Sequence, residues 1–286
     1  MRLSHRLLLI SVLLFLVPSS GFSAEIEDHF AKLDDAKIHY LSTGKGEEAL
    51  VFVHGWTCNA DFWRPQLNDF PGMHLIAVDL IGHGQSDKPK VPYTMEFFAR
   101  SVEAALRDAK VKRAVLVGHS MGTPVIRQFY RLFPEKTAGL VIVDGALRLA
   151  FGKEQMDQFM APMRANYQGS APAMVEGILG PLKDEKLRAE IKKAMLATPD
   201  YVGISAFEGM ADEKIYAKDP IKVPMLAILA NSPFWQPDTE AFLRSLAPQL
   251  EYKMWDGVSH FLMMEKPKEF DQEVQAYLMK YKLLGK

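Results

Sequence analysis

Residues 113–122 read RAVLVGHSMG. Ala114, Val115, Leu116 and Val117 follow one another without a polar partner, the pattern of a strand buried on both faces. The run ends in Gly118-His119-Ser120-Met121-Gly122, and TPVIRQFYRLFP (123–134) continues with apolar residues at helical spacing and Pro134 as a stop. A serine in so sharp a strand-to-helix turn needs small neighbours. Its hydroxyl is exposed, and the first amides of the helix favour negative charge beside it. G-x-S-x-G alone arises by chance; between a strand and a helix it marks Ser120 as a candidate nucleophile.

Outward from this stretch, further continuous apolar runs stand at 49–55 (ALVFVHG), 74–80 (HLIAVDL), 139–145 (GLVIVDG) and 224–230 (PMLAILA). Residues 93–110 carry apolar residues at helical spacing, and 29–44 read as an antiparallel hairpin ahead of the parallel part. Buried strands alternating with helices predict an α/β fold, a doubly wound and mostly parallel sheet with right-handed crossovers. The alternation breaks after residue 145. Residues 146–220 hold helical stretches such as 153–167 and 184–196, and six methionines: Met156, Met160, Met163, Met174, Met195 and Met210. This segment is expected to be a helical lid inserted between core parts 24–145 and 221–286. Methionines there suit lid-to-core packing or a substrate cradle.

The 286 residues allow one large domain with an insertion, and 34 basic against 35 acidic residues give a net charge of -1. No basic field exists to attract a nucleic acid. Residues 1–23 combine two arginines in MRLSHR, an eleven-residue apolar run from Leu7 to Val17, and small residues before Ala24. That is the layout of a signal peptide, with cleavage after Ser23; the run is too short to span a hydrocarbon core of about 30 Å. The expectation is an exported protein, periplasmic or secreted, without a stable membrane anchor after cleavage. Cys58 is the single cysteine, so no intrachain disulfide forms.

Four stretches in order resemble the α/β-hydrolase family: FVHGWTCNADFW (52–63), VDLIGHGQSDKP (78–89), GHSMG (118–122) and WDGVSHFLMMEKPKEF (255–270). The HGW loop is similar to that of esterase-like and perhydrolase-like members. The resemblance implies Ser120 as nucleophile and His260 as its base, with backbone amides of Trp56 and Met121 as the oxyanion hole. His54 is then a loop organiser and His83 a turn buttress, and His119 points away from the attacking hydroxyl. Asp79 and Asp87 form turns and anchor loops. The chain departs from the family where the third member, a carboxylate, is expected after 224–230: Ser232 stands there. Asp144, at the end of the preceding strand, and Asp238, which also reads as the start of a helix, are the alternatives. Asp256, close to His260 on one loop, ranks last.

These readings imply an exported serine hydrolase that cleaves a carboxylic ester, or a similar acyl bond, through an acyl-serine. The expected partner is a small-molecule acyl substrate with an apolar group; no cofactor and no metal is expected. Serine at 120 excludes the dehalogenase and epoxide-hydrolase chemistries of the fold, which need a carboxylate nucleophile. A non-catalytic small-ligand-binding protein on the same scaffold, and a perhydrolase or haloperoxidase side activity, are the alternatives.

Overall fold

The computed structural model describes residues 25–149 and 152–285. The signal-peptide expectation falls on residues 1–23, outside the described residues. Eight strands form one sheet: β1 (Glu27–Leu33), β2 (Ala36–Thr43), β3 (Glu48–Val53), β4 (His74–Val78), β5 (Arg113–His119), β6 (Thr137–Val143), β7 (Met225–Ala230) and β8 (Leu250–Trp255). Their spatial order is β1-β2-β4-β3-β5-β6-β7-β8. The β1–β2 hairpin is antiparallel, and β2 also pairs antiparallel with β4; the remaining pairings are parallel.

Every residue of β4, β6 and β7 is buried, as is all of β5 after Arg113. These continuous apolar runs stay in place because helices cover both sheet faces, and each large aliphatic side chain so buried contributes about 1.5–3 kcal/mol. Between β4 and β5 runs α1 (Met95–Asp108). Thr94 caps it by accepting from the Phe97 amide, and Phe98, Ala99, Val102, Ala105 and Leu106 bury one face. Helix α2 (Gly122–Leu132) follows β5 at once. It tolerates Pro124 because the first-turn amides have no partner within the helix.

Between β6 and β7 lie α3 (Lys153–Ala165), α4 (Tyr167–Leu179), α5 (Glu185–Leu196) and α6 (Asp200–Met210), followed by a 3-10 turn at Glu213–Tyr216. The chain closes with α7 (Thr239–Leu246), β8, the short α8 (Leu262–Glu265) and α9 (Pro267–Lys280). Strand β8 was not among the expected strands. Its sequence LEYKMW is only half-buried after Leu250, because it is the sheet's edge and pairs with β7 alone.

Parallel register sets the site. His119 pairs with Val143, Val143 with Ile228, and Ala230 with Trp255, so the strands end at one level. Ser120 and Asp144 are therefore the first residues beyond two neighbouring strands, and His260 lies on the loop after the edge strand.

Candidate active site

Ser120 leaves the sheet with φ +53° and Asp144 with φ +44°, a left-handed conformation that only surrounding structure can hold in a non-glycine residue. The hold is visible. The Ser120 amide donates to the Val143 carbonyl (2.9 Å) and the Asp144 amide to the Ile228 carbonyl (2.9 Å), extending the parallel ladder past the strand ends. The turn is packed too tightly for side chains at its glycines. A Cβ on Gly118 would sit 2.5 Å from the Gly122 carbonyl oxygen, and one on Gly122 would sit 2.5 Å from that of Val53. On Gly145 it would lie 2.0 Å from Thr123 Oγ1 and 2.7 Å from the Ser120 oxygen. The residue after Asp144 thus touches the turn that carries Ser120.

His260 Nδ1 donates to Asp144 Oδ2 at 2.6 Å, and Asp144 Oδ1 accepts from the Ala230 amide at 2.8 Å. Both carboxylate oxygens are engaged and the side chain is almost wholly buried. The proton on Nδ1 leaves Nε2 as the basic nitrogen of the ring. Ser120 and His260 line one cavity of about 550 Å³ with Asp144 at its edge. No hydrogen bond joins Ser120 to His260 among the described residues, a looseness usual in unliganded sites.

The other two carboxylates go elsewhere. Asp238 pairs with Arg148 through two contacts (2.6 and 3.0 Å), which hold its carboxyl below the usual range. It stands at the start of α7 without capping it. Asp256 accepts from Asn231 Nδ2 at 2.6 Å. Ser232 lines the cavity.

The four histidine and aspartate assignments around the site have clear geometric counterparts. The Leu80 amide donates to His54 Nε2 (3.0 Å), so the proton of this neutral ring is on Nδ1, which donates to the Gly55 carbonyl (2.8 Å). Burial keeps His54 below its ordinary pKa. The Cys58 amide donates to the same carbonyl (3.2 Å), closing a tight turn around Trp56. The Trp56 indole donates to the Gly203 carbonyl of α6 (2.7 Å). Among the described residues, the backbone amides of Trp56 and Met121 have no hydrogen-bond acceptor, although both residues are buried and line the cavity. Unpaired buried amides are uncommon, and here two belong to residues that line one cavity.

His83 is buried beside His54, and its pKa is pushed down to about 3, chiefly by burial. Asp79 accepts from the Ala60 and Gln85 amides (2.6 and 2.8 Å) and from His39 Nδ1 (2.7 Å); Asp87 accepts from the Lys37 amide (2.7 Å). Both anchor loops. Cys58 is buried, and burial pushes its thiol pKa up, away from reactive thiolate.

Of the six methionines, Met160, Met163 and Met195 are packed away, while Met156, Met174 and Met210 line the cavity with Phe159 and Phe207. Packing and cavity lining are thus divided between residues. No group of histidine, cysteine or acidic side chains among the described residues is arranged to hold a metal ion.

Residues 48–179 match the family model for the alpha/beta hydrolase fold. This chain has the α/β-hydrolase fold. Its match to the AB hydrolase superfamily protein YisY of Bacillus subtilis is 24% identical over 213 residues, 70% of this chain and 80% of the relative. The non-heme chloroperoxidase of Streptomyces lividans is 26% identical over 274 residues, 86% of this chain and 97% of that protein. Several other curated relatives are matched over only 28% to 38% of their length, and a further one over 65%. Among solved structures, Est816, described as an N-acyl homoserine lactone degrading enzyme, is 27% identical with a TM-score of 0.72, covering 87% of this chain and 99% of that one.

One site feature of this hydrolase-fold chain escaped the sequence. His119 Nε2 donates to the His260 carbonyl at 2.8 Å, and the two rings lie 4.6 Å apart. The His119 side chain reaches the loop that carries His260. The only sequence signal was a histidine beside the serine.

Proposed function

We propose that this chain is an exported serine hydrolase cleaving carboxylic esters. The observation that carries the reading is the Asp144–His260 contact at the cavity that Ser120 also lines. Ser120 Oγ attacks the ester carbonyl and its proton passes to His260 Nε2. Asp144, bound to Nδ1, stabilises the imidazolium without accepting the proton. The oxyanion takes hydrogen bonds from the Trp56 and Met121 amides, which need no rearrangement to donate. Collapse of the tetrahedral intermediate breaks the C–O bond, and the His260 proton leaves with the alcohol. Water, deprotonated by the same nitrogen, then releases the acid and restores the Ser120 hydroxyl.

The apolar cavity supports an ester with an apolar acyl or alcohol group, of a size suited to about 550 Å³. The helices between β6 and β7 act as its lid. Export rests on the signal-peptide pattern of residues 1–23; no helix among the described residues is long and apolar enough to cross a membrane. The likeness to Est816 supports cyclic esters as substrates alongside open ones, and that to the chloroperoxidase supports a perhydrolase side activity. The non-catalytic alternative drew on Ser232, and the Asp144–His260 contact weighs against it. Release and mass analysis of the processed chain tests export. Turnover of an ester and lactone panel by the wild type, with no turnover by Ser120→Ala, tests the chemistry; a folded wild type inert to the whole panel sinks it.

A further inference from the structure

Most polar side chains of the cavity already have partners. Arg148 is committed to Asp238, Asn231 to Asp256, Asp144 to His260 and Ala230, and the Ser259 hydroxyl to the Phe261 amide. Beside the reacting groups, two hydroxyls without a hydrogen bond among the described residues remain: Ser232 and Tyr216. Ser232 sits on the mouth loop between exposed Asn231 and Pro233, where bulk water serves it. Tyr216 is different. Partly buried like Ser232, it lies instead in the 3-10 turn Glu213–Tyr216, and burial pushes its phenol pKa up to about 12, so it stays a donor at working pH.

Its backbone is held firmly to the helix that begins at the nucleophile turn. Arg131 on α2 donates to the carbonyls on either side of Tyr216, Ile215 at 2.6 Å and Ala217 at 2.8 Å. Two residues on, Asp219 is gripped by Arg131 (2.6 Å) and by Arg127, whose side chain is 3% exposed. Asp212 caps the turn by accepting from the Lys214 amide. Helix α2 starts at Gly122, so Ser120 and Tyr216 belong to one rigid frame. A phenol fixed this way loses little freedom when it binds, and the apolar side chains that line the same cavity, Met156, Phe207 and Met210 among them, offer it no acceptor.

We propose that Tyr216 is a specificity residue that donates a hydrogen bond to an acceptor atom of the substrate outside the ester being cleaved. The cavity then takes amphipathic chains carrying an ether, keto or amide oxygen in preference to plain alkyl chains. This inference rests on the hydrolase reading. A substrate lacking the acceptor gives up the hydrogen bond that the matched substrate makes, which is the source of the discrimination.

The test uses matched esters: a plain alkanoate series, and isosteric esters in which one methylene is replaced by an ether oxygen walked along the chain. For at least one oxygen position the wild type is expected to favour the ether ester about tenfold in kcat/KM, the factor of one ordinary hydrogen bond. Tyr216→Phe, nearly isosteric and checked for an unchanged melting temperature, brings that ratio close to one. Equilibrium binding of the corresponding ether and alkyl acids to Ser120→Ala is expected to show the same ratio in Kd. Esters turned over with no preference at any position, or a preference that survives in Tyr216→Phe, overturn this inference alone. Wild-type protein inert to every ester overturns the hydrolase reading beneath it.

Discussion

His119 Nε2 donates to the backbone carbonyl of His260 at 2.8 Å, so the residue before the serine holds the loop that bears the proposed base. Burial keeps the His119 ring neutral, well below its ordinary pKa, and its other nitrogen has no partner among the described residues. The tether fixes where His260 stands relative to Ser120. His119→Ala is expected to lower kcat by about ten- to a hundredfold, the effect of losing one positioning hydrogen bond, with KM little changed. His119→Gln, which keeps a donor, recovers part of the loss. Steady-state kinetics on one ester, with melting temperatures for both variants, checks this; a loss confined to KM contradicts it.

The two candidate acids separate cleanly. Asp144→Asn leaves His260 without its anionic partner and is expected to reduce kcat on the order of 10²–10⁴-fold. Asp238→Asn removes one member of an exposed, solvent-screened ion pair that does not touch His260. Ester kinetics on Asp238→Asn is expected within about threefold of wild type.

Asp271 on α9 is buried beside Asp69 and Gln66. Burial, with the neighbouring Asp69 carboxylate adding to it, pushes its pKa up to about 8. A pKa higher in the folded state means support that is full below the ordinary carboxylate value near 4 and is lost as pH rises toward 8. Asp271→Asn does not titrate. Its melting temperature relative to wild type is therefore expected to climb between pH 4 and pH 8, as the wild type loses about 2–4 kcal/mol of stability that the variant keeps. A difference independent of pH rules this out.

Glycines with and without room behave oppositely. Gly145→Ala drives a methyl into Thr123 and Ser120 and is expected to destabilise by about 1–3 kcal/mol. Gly177 lies within α4, where an added methyl would meet no atom within 4 Å, and Gly177→Ala is expected to stabilise by about 0.5–1 kcal/mol. Chemical denaturation of both variants gives the two signs.

The parallel core was legible because β4, β5, β6 and β7 are continuous apolar runs, a pattern that only double-sided burial explains. Strand β8 was not, because an edge strand carrying Glu251 and Lys253 looks like loop. Asp144 and Asp238 both fit locally. What separates them is sheet order, which sets the end of β6 beside that of β7, and Arg148, which takes Asp238 from 90 residues away. The His119 tether spans 141 residues and ends on a carbonyl that every residue has, so no side-chain pattern announces it.

The central claim is that His260 and Asp144 activate Ser120. Intact mass after treatment with a fluorophosphonate tests it most directly, on wild type, Ser120→Ala and Asp144→Asn. The account predicts one adduct on the wild type, none on Ser120→Ala and labelling slowed at least about a hundredfold on Asp144→Asn. A folded wild type that stays unmodified, or an adduct that persists on Ser120→Ala, contradicts it.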